Sequence, residues 1–136
     1  MTVVVDAGRE AAWDRLADIP GWPDWNPSCI DATLDGPPQP GTVMRLQLRH
    51  PRGRGFHTRP RLAELERPGR LAWETRAIGV RARTEVEVTR EVDGTRITLT
   101  ADSGGPMGFS YRWAMRPRTQ AQIWSAMLDG LAESFR

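Results

Sequence analysis

"VVVDAGREAAWDRLADIPGWPDWNP" occupies residues 3–27 and changes its periodicity three times. The run "TVVVDA" (2–7) is rich in β-branched residues and predicts a short strand. Asp6 is then placed to cap a helix. Within "GREAAWDRLADI" (8–19), Ala12, Trp13, Leu16, Ala17 and Ile19 form one apolar stripe at helical spacing. Pro20 stops that helix, since it has no N–H and its ring clashes with the preceding turn. "GWPDWNP" (21–27) then places two tryptophans and two prolines in seven residues. It is too stiff for an ordinary helix and too aromatic for a linker, so it predicts a compact turn or single helical turn forming an apolar corner.

Downstream, the period becomes two. "SCIDATLD" (28–35) predicts a strand, followed by a Pro/Gly loop at 36–41. "TVMRLQLRH" (42–50) alternates Met44, Leu46 and Leu48 against Arg45, Gln47 and Arg49, and "PRGRG" (51–55) is a hairpin tip. "FHTRPRLAELE" (56–66) is expected as one strand, "RPG" (67–69) as a turn, and 70–77 and 81–92 as further strands. Asp93-Gly94 is a hairpin signal, and 95–103 closes the meander. After Pro117 the pattern returns to helical spacing in Ile123, Trp124, Met127, Leu128, Leu131 and Phe135. The 136 residues hold no repeat and make one domain, 1–136. An antiparallel sheet with one apolar face must bury it. A single long helix covers a curved sheet poorly at its middle, which predicts a cavity between them.

Charge and composition narrow the function. All 19 basic residues are Arg, against 17 acidic ones, for a net charge of +2. Arg alternates with Glu and Asp along most of the chain, so no nucleic-acid partner is expected. No run of 18 or more apolar residues is present, so no membrane span is expected. The N-terminus does not read as a secretory signal, and the one cysteine, Cys29, fits a reducing cytoplasm.

The stretches "VVVDAGREAAWDRLADIPGWPDWNP", "GTVMRLQL", "RLAELERPGRLAWE" and "DGTRITLTADSGG", with the closing helix, carry a resemblance across nearly the whole chain. The sequence resembles the START/Bet v 1-like helix-grip superfamily, in particular its polyketide cyclase/dehydrase-like (SRPBCC) branch. The resemblance implies an α+β helix-grip fold: a curved antiparallel β-sheet of about six to seven strands around a long C-terminal helix, with short N-terminal helices. It implies that residues 21–27 close one end of the cavity. It further implies a hydrophobic, aromatic or polyketide-like small-molecule ligand, no cofactor, and a monomer or homodimer. The activity implied is a cofactor-independent cyclase, aromatase or dehydratase. The alternatives are a non-catalytic carrier of the same fold and a chaperone-activator-type interaction module.

Candidate residues follow from strand phase. If Glu64 and Glu66 face water, alternation places Ala63, Leu65, Arg61, Arg59 and His57 inside. An interior Arg–His wall would bind an enolate or carboxylate and move a proton, making Arg59, Arg61 and His57 the catalytic candidates. Pro60 makes that register vulnerable to a bulge. The ligand-binding candidates are Trp25, Trp73, Leu99, Met107, Phe109, Tyr111, Trp113, Trp124 and Met127, with Val86, Val88 and Ala101 also expected at the cavity. His50 and His57 flank the hairpin tip, but zinc requires three or four ligands and sequence offers no third, so no metal is expected. Cys29 is expected as a buried, inert thiol.

Overall fold

A computed structural model describes residues 1–77, 80–104 and 117–136. Strand β1 (Thr2–Val5) leads into helix α1 (Arg9–Ala17) and a 3₁₀ helix (Ile19–Asp24). Seven strands follow: β2 (Cys29–Leu34), β3 (Met44–Arg49), β4 (Gly55–Thr58), β5 (Arg61–Glu66), β6 (Arg70–Ala77), β7 (Val80–Glu91) and β8 (Gly94–Gly104). Helix α2 (Pro117–Glu133) comes last. The order matches the pattern expected from sequence in all but two places. Gly8, not Asp6, occupies the N-cap of α1, with no side-chain cap bond. The single strand expected over 56–66 is two strands, β4 and β5, separated at Arg59 and Pro60.

That division organises the fold. The described strands form two antiparallel sheets, a five-stranded one in the order β1-β8-β7-β6-β5 and a three-stranded one in the order β2-β3-β4. Pro60 has no N–H to give to a ladder, which suits the point where the chain leaves one sheet for the other. The sheets are stitched beside it by the Val43–Arg61 bridge and by Met44 N donating to Pro60 O at 2.8 Å. The result is an open, curved arrangement, not a closed barrel.

The concave face holds the core. Leu46 and Leu48 of β3, Leu71 and Trp73 of β6, Val86 and Val88 of β7, and Ile97 and Leu99 of β8 are all buried. Helix α2 presents Ile123, Met127, Leu128 and Leu131 to this face, the three- and four-residue spacing that sequence showed. Ala12, Trp13 and Leu16 of α1 and Trp22 of the 3₁₀ helix complete the cluster. The convex face carries ion pairs. Glu74 accepts from Arg81 Nη2 at 2.7 Å, Arg83 Nη1 at 2.8 Å and Arg76 Nη2 at 3.0 Å.

Candidate functional site

The cavity lies between the two sheets and the first half of α2, with a volume of about 240 Å³. Each wall is a consequence of strand phase. From β3 come Leu46 and Leu48, and from β4 and its exit Phe56, Thr58 and Pro60. Trp73 and Thr75 of β6, Ala82 and Thr84 of β7 and Ala101 of β8 form the opposite wall. Gln120, Ile123 and Trp124 of α2 form the roof.

The phase in β4 is opposite to that expected. A bulge between Leu62 and Glu64 places Leu62 opposite Trp73 and Glu64 opposite Ala72, leaving Ala63 as the extra residue. One inserted residue moves everything before it to the other face. Counting back from the buried Leu62, the inward residues are Pro60, Thr58 and Phe56. Arg59 and Arg61 are exposed, and Arg61 donates to Gly41 O at 3.2 Å. His57 is exposed as well, reaching only the rim of the cavity. The interior Arg–His wall expected from sequence is therefore corrected to an outward-facing row. His50 and His57 do not pair across the hairpin, since His57 stands opposite Gln47. No three potential metal ligands cluster among the described residues.

The ligand-binding candidates divide. Trp73 and Trp124 line the cavity, one from the sheet and one from the helix, with ring centroids 5.8 Å apart. Leu99 and Met127 lie in the packed core and are not among the cavity's lining residues, and the same holds for Val86 and Val88. Trp25 sits outside the cavity, half-buried against Trp22 with centroids 6.2 Å apart, and its buried indole N–H has no partner among the described residues. Trp22 in turn meets Trp73 at 5.4 Å, so Trp25, Trp22, Trp73 and Trp124 form one continuous aromatic chain. Met107, Phe109, Tyr111 and Trp113 lie outside the described residues. Sequence reasoning missed Phe56, Thr58, Thr75 and Thr84. The Thr75 and Thr84 positions were legible from alternation with Trp73 and Val86.

The electrostatics of the interior are simple. Arg83 borders the cavity, but its guanidinium is turned to carboxylates, 2.8 Å from both Glu74 and Glu85. Asp102 is exposed at the border. The polar atoms left to face a ligand are the hydroxyls of Thr58, Thr75 and Thr84. The three threonine hydroxyls have no protein partner among the described residues, whereas Gln120 has one. Cys29 lies elsewhere in the core. Burial and then the nearby Asp31 charge push its thiol up to about 11, against both a nucleophile and a metal ligand.

A curved antiparallel sheet, a long terminal helix and an apolar cavity between them define a helix-grip protein of the SRPBCC superfamily. More narrowly, the family model described as "Polyketide cyclase / dehydrase and lipid transport" matches residues 1–136, and the chain belongs to that family. A search of the curated proteins gives no match. Solved structures give the same fold at low identity. The major latex-like protein 151 of Panax ginseng is 8% identical with a TM-score of 0.81, over 99% of this chain and 94% of that one. A truncated norcoclaurine synthase from Thalictrum flavum is 13% identical with a TM-score of 0.74, over 98% of this chain and 89% of that one. The di-domain ARO/CYC StfQ from the steffimycin biosynthetic pathway is 13% identical with a TM-score of 0.75. The match covers 99% of this chain but 48% of StfQ, so the chain spans about half that protein's length.

Proposed function

We propose that the protein binds a compact, uncharged, hydrophobic molecule bearing carbonyl or hydroxyl groups, of the aromatic or polyketide-like kind, in this cavity. The observation that carries the reading is a set of three threonine hydroxyls without a partner among the described residues, Thr75 and Thr84 beside Trp73 on one wall and Thr58 on the other, in a largely apolar space roofed by Trp124. A hydroxyl both donates and accepts, so it serves ketone, enol and phenol oxygens alike. A carboxylate entering the same space would lose its hydration without gaining a cation, which is costly. A volume of about 240 Å³ suits a few fused rings better than an extended lipid chain, and lies below the ~300–1,000 Å³ of most ligand pockets.

Isothermal titration calorimetry with flat polyphenols, small aromatic polyketide mimics and fatty acids tests the reading. Saturable heat is expected from the neutral aromatic compounds, weakened roughly tenfold by Thr84→Val, since one hydrogen bond in such a site is worth about 1 kcal/mol or somewhat more. Preference for fatty-acid carboxylates, or indifference to Thr84→Val, would sink it.

The second reading is a cofactor-independent cyclase, aromatase or dehydratase acting on that ligand. The family description names cyclases and dehydrases, alongside lipid transport. In this reading the cavity folds a reactive chain into one geometry, which by itself accelerates ring closure. His57 at the rim is the one imidazole that reaches the cavity among the described residues. Product analysis with a reactive poly-ketone mimic, on the wild type and on His57→Gln, distinguishes a catalyst from a carrier.

A further inference from the structure

Two groups of arginines among the described residues contrast in their partners. On the outer face of the five-stranded sheet, Arg70, Arg76, Arg81 and Arg83 share the carboxylates of Glu64, Glu74 and Glu85. The β3–β4 hairpin and its flanks differ. Residues 36–63 contain six arginines and no Asp or Glu, in a chain whose net charge is only +2. Two of the six are engaged: Arg45 pairs with Asp35 at 2.7 Å, and Arg61 bonds a backbone carbonyl. Arg49, Arg52, Arg54 and Arg59 are exposed and have no carboxylate partner among the described residues. His57 is exposed among them, while Asp31 on β2 is the acidic neighbour, opposite Gln47. On its other face the same strand gives Phe56 and Thr58 to the cavity, so the positive hairpin borders the ligand space directly.

We propose that this hairpin docks the protein on an anionic lipid bilayer, from which the cavity's ligand is taken up or to which it is returned. The inference rests on the reading that the cavity holds a hydrophobic molecule, because such a molecule accumulates in the lipid phase and not in water. The composition of the hairpin favours a bilayer over other anionic surfaces. Specific protein interfaces are anchored at their centre by aromatic and arginine side chains desolvated in well-packed pockets. The tip, 51–55, carries no aromatic residue, and its arginines stand exposed. Single-stranded nucleic acid is held by bases stacked on exposed aromatic rings, and Phe56 is turned into the cavity. A bilayer of acidic lipids needs only charge at its surface.

Co-sedimentation with vesicles tests the proposal. The wild type is expected to partition onto phosphatidylcholine–phosphatidylserine vesicles, not onto pure phosphatidylcholine, and to be released by rising sodium chloride. Each arginine near such a surface adds about fivefold to partitioning, so the double variant Arg52→Ala/Arg54→Ala should lose on the order of 25-fold. A pair of exposed but ion-paired arginines outside the hairpin, Arg90→Ala/Arg136→Ala, should lose far less. No binding to acidic vesicles, equal binding to neutral ones, or equal losses in the two double variants would overturn it. So would capture by polyglutamate or duplex DNA without capture by acidic vesicles. Calorimetry without vesicles separates the two readings. Arg52→Ala/Arg54→Ala should bind cavity ligand as the wild type does, and vesicle binding by a protein that takes no hydrophobic ligand would sustain docking while removing the cavity reading.

Discussion

The indole Nε1 of Trp22 donates to the backbone carbonyl of Leu16 at 2.8 Å, in a fully buried position. In a continuing helix that carbonyl would receive the N–H of the residue four places on, which here is Pro20 and has none. The tryptophan therefore ends α1 by supplying from the 3₁₀ helix the donor that proline removes. Trp22→Phe keeps most of the ring but leaves a buried carbonyl without its donor, and should cost about 1–3 kcal/mol. Trp22→Ala should cost about 3–5 kcal/mol, through the cavity it opens. Urea unfolding followed by circular dichroism checks both, and a Phe variant as stable as the wild type would remove the indole bond from the account.

Gly130→Ala reverses an ordinary rule. In an exposed helix interior the change stabilises by about 1 kcal/mol. Here the added Cβ would lie 2.6 Å from Pro27 Cδ and closer still to the carbonyl oxygen of Trp25. Neither atom belongs to a flexible side-chain end, so α2 must shift away from the 3₁₀ corner. A net loss of about 1–3 kcal/mol is expected, the usual scale of overpacking. A raised melting temperature would show that the corner yields.

Glu74 makes stability depend on acid. Hydrogen bonds from Arg81 and Arg83 bring its carboxyl down from the usual 4.5 to about 2, against the opposing effect of burial. A depressed folded-state value means that the contribution is complete above the unfolded value and is lost as pH falls from about 4.5 towards about 2. Glu74→Gln should therefore cost about 1–2 kcal/mol at neutral pH, less than the full shift implies because the network is partly wet. The difference should vanish at the acid end of that window. A constant difference across it would assign the effect to shape and not to charge.

Cys29 should resist alkylation. With the folded thiol at about 11, the thiolate is scarce at mildly alkaline pH, and burial blocks what remains. Labelling by iodoacetamide should be slow in the native protein and rapid in urea. Rapid native labelling would mean that the strand carrying Cys29 opens locally.

Most of the fold was legible because it rests on period and punctuation. Ile123, Met127 and Leu131 recur as a helix face must, and Asp93-Gly94 announces its hairpin. The site was less legible because one extra residue decides it. Nothing in "RLAELE" announces that Ala63 will be skipped, yet that skip turns Arg59 and Arg61 to water and Thr58 and Phe56 inward. Glu64 and Glu66 were both assigned to the solvent face, correctly for strand residues next to arginines. The error lay in carrying that phase backwards through the bulge. Trp25 was misassigned for a different reason: its neighbour Trp22 takes the inner place on the corner, and a sequence cannot rank two tryptophans three residues apart.

The chain of rings from Trp25 through Trp22 and Trp73 to Trp124 has a spectroscopic consequence. Indoles at such separations exchange excitation energy among themselves faster than they emit. Light absorbed at the outer corner can then be emitted, or quenched, at the cavity wall. A ligand touching only Trp73 and Trp124 would dim all four emitters, and the polarisation of the emission would be low even in a rigid protein. Replacing Trp73 with Phe would remove the ring that links Trp22 to Trp124, so that Trp22 and Trp25 are dimmed less when the cavity is filled.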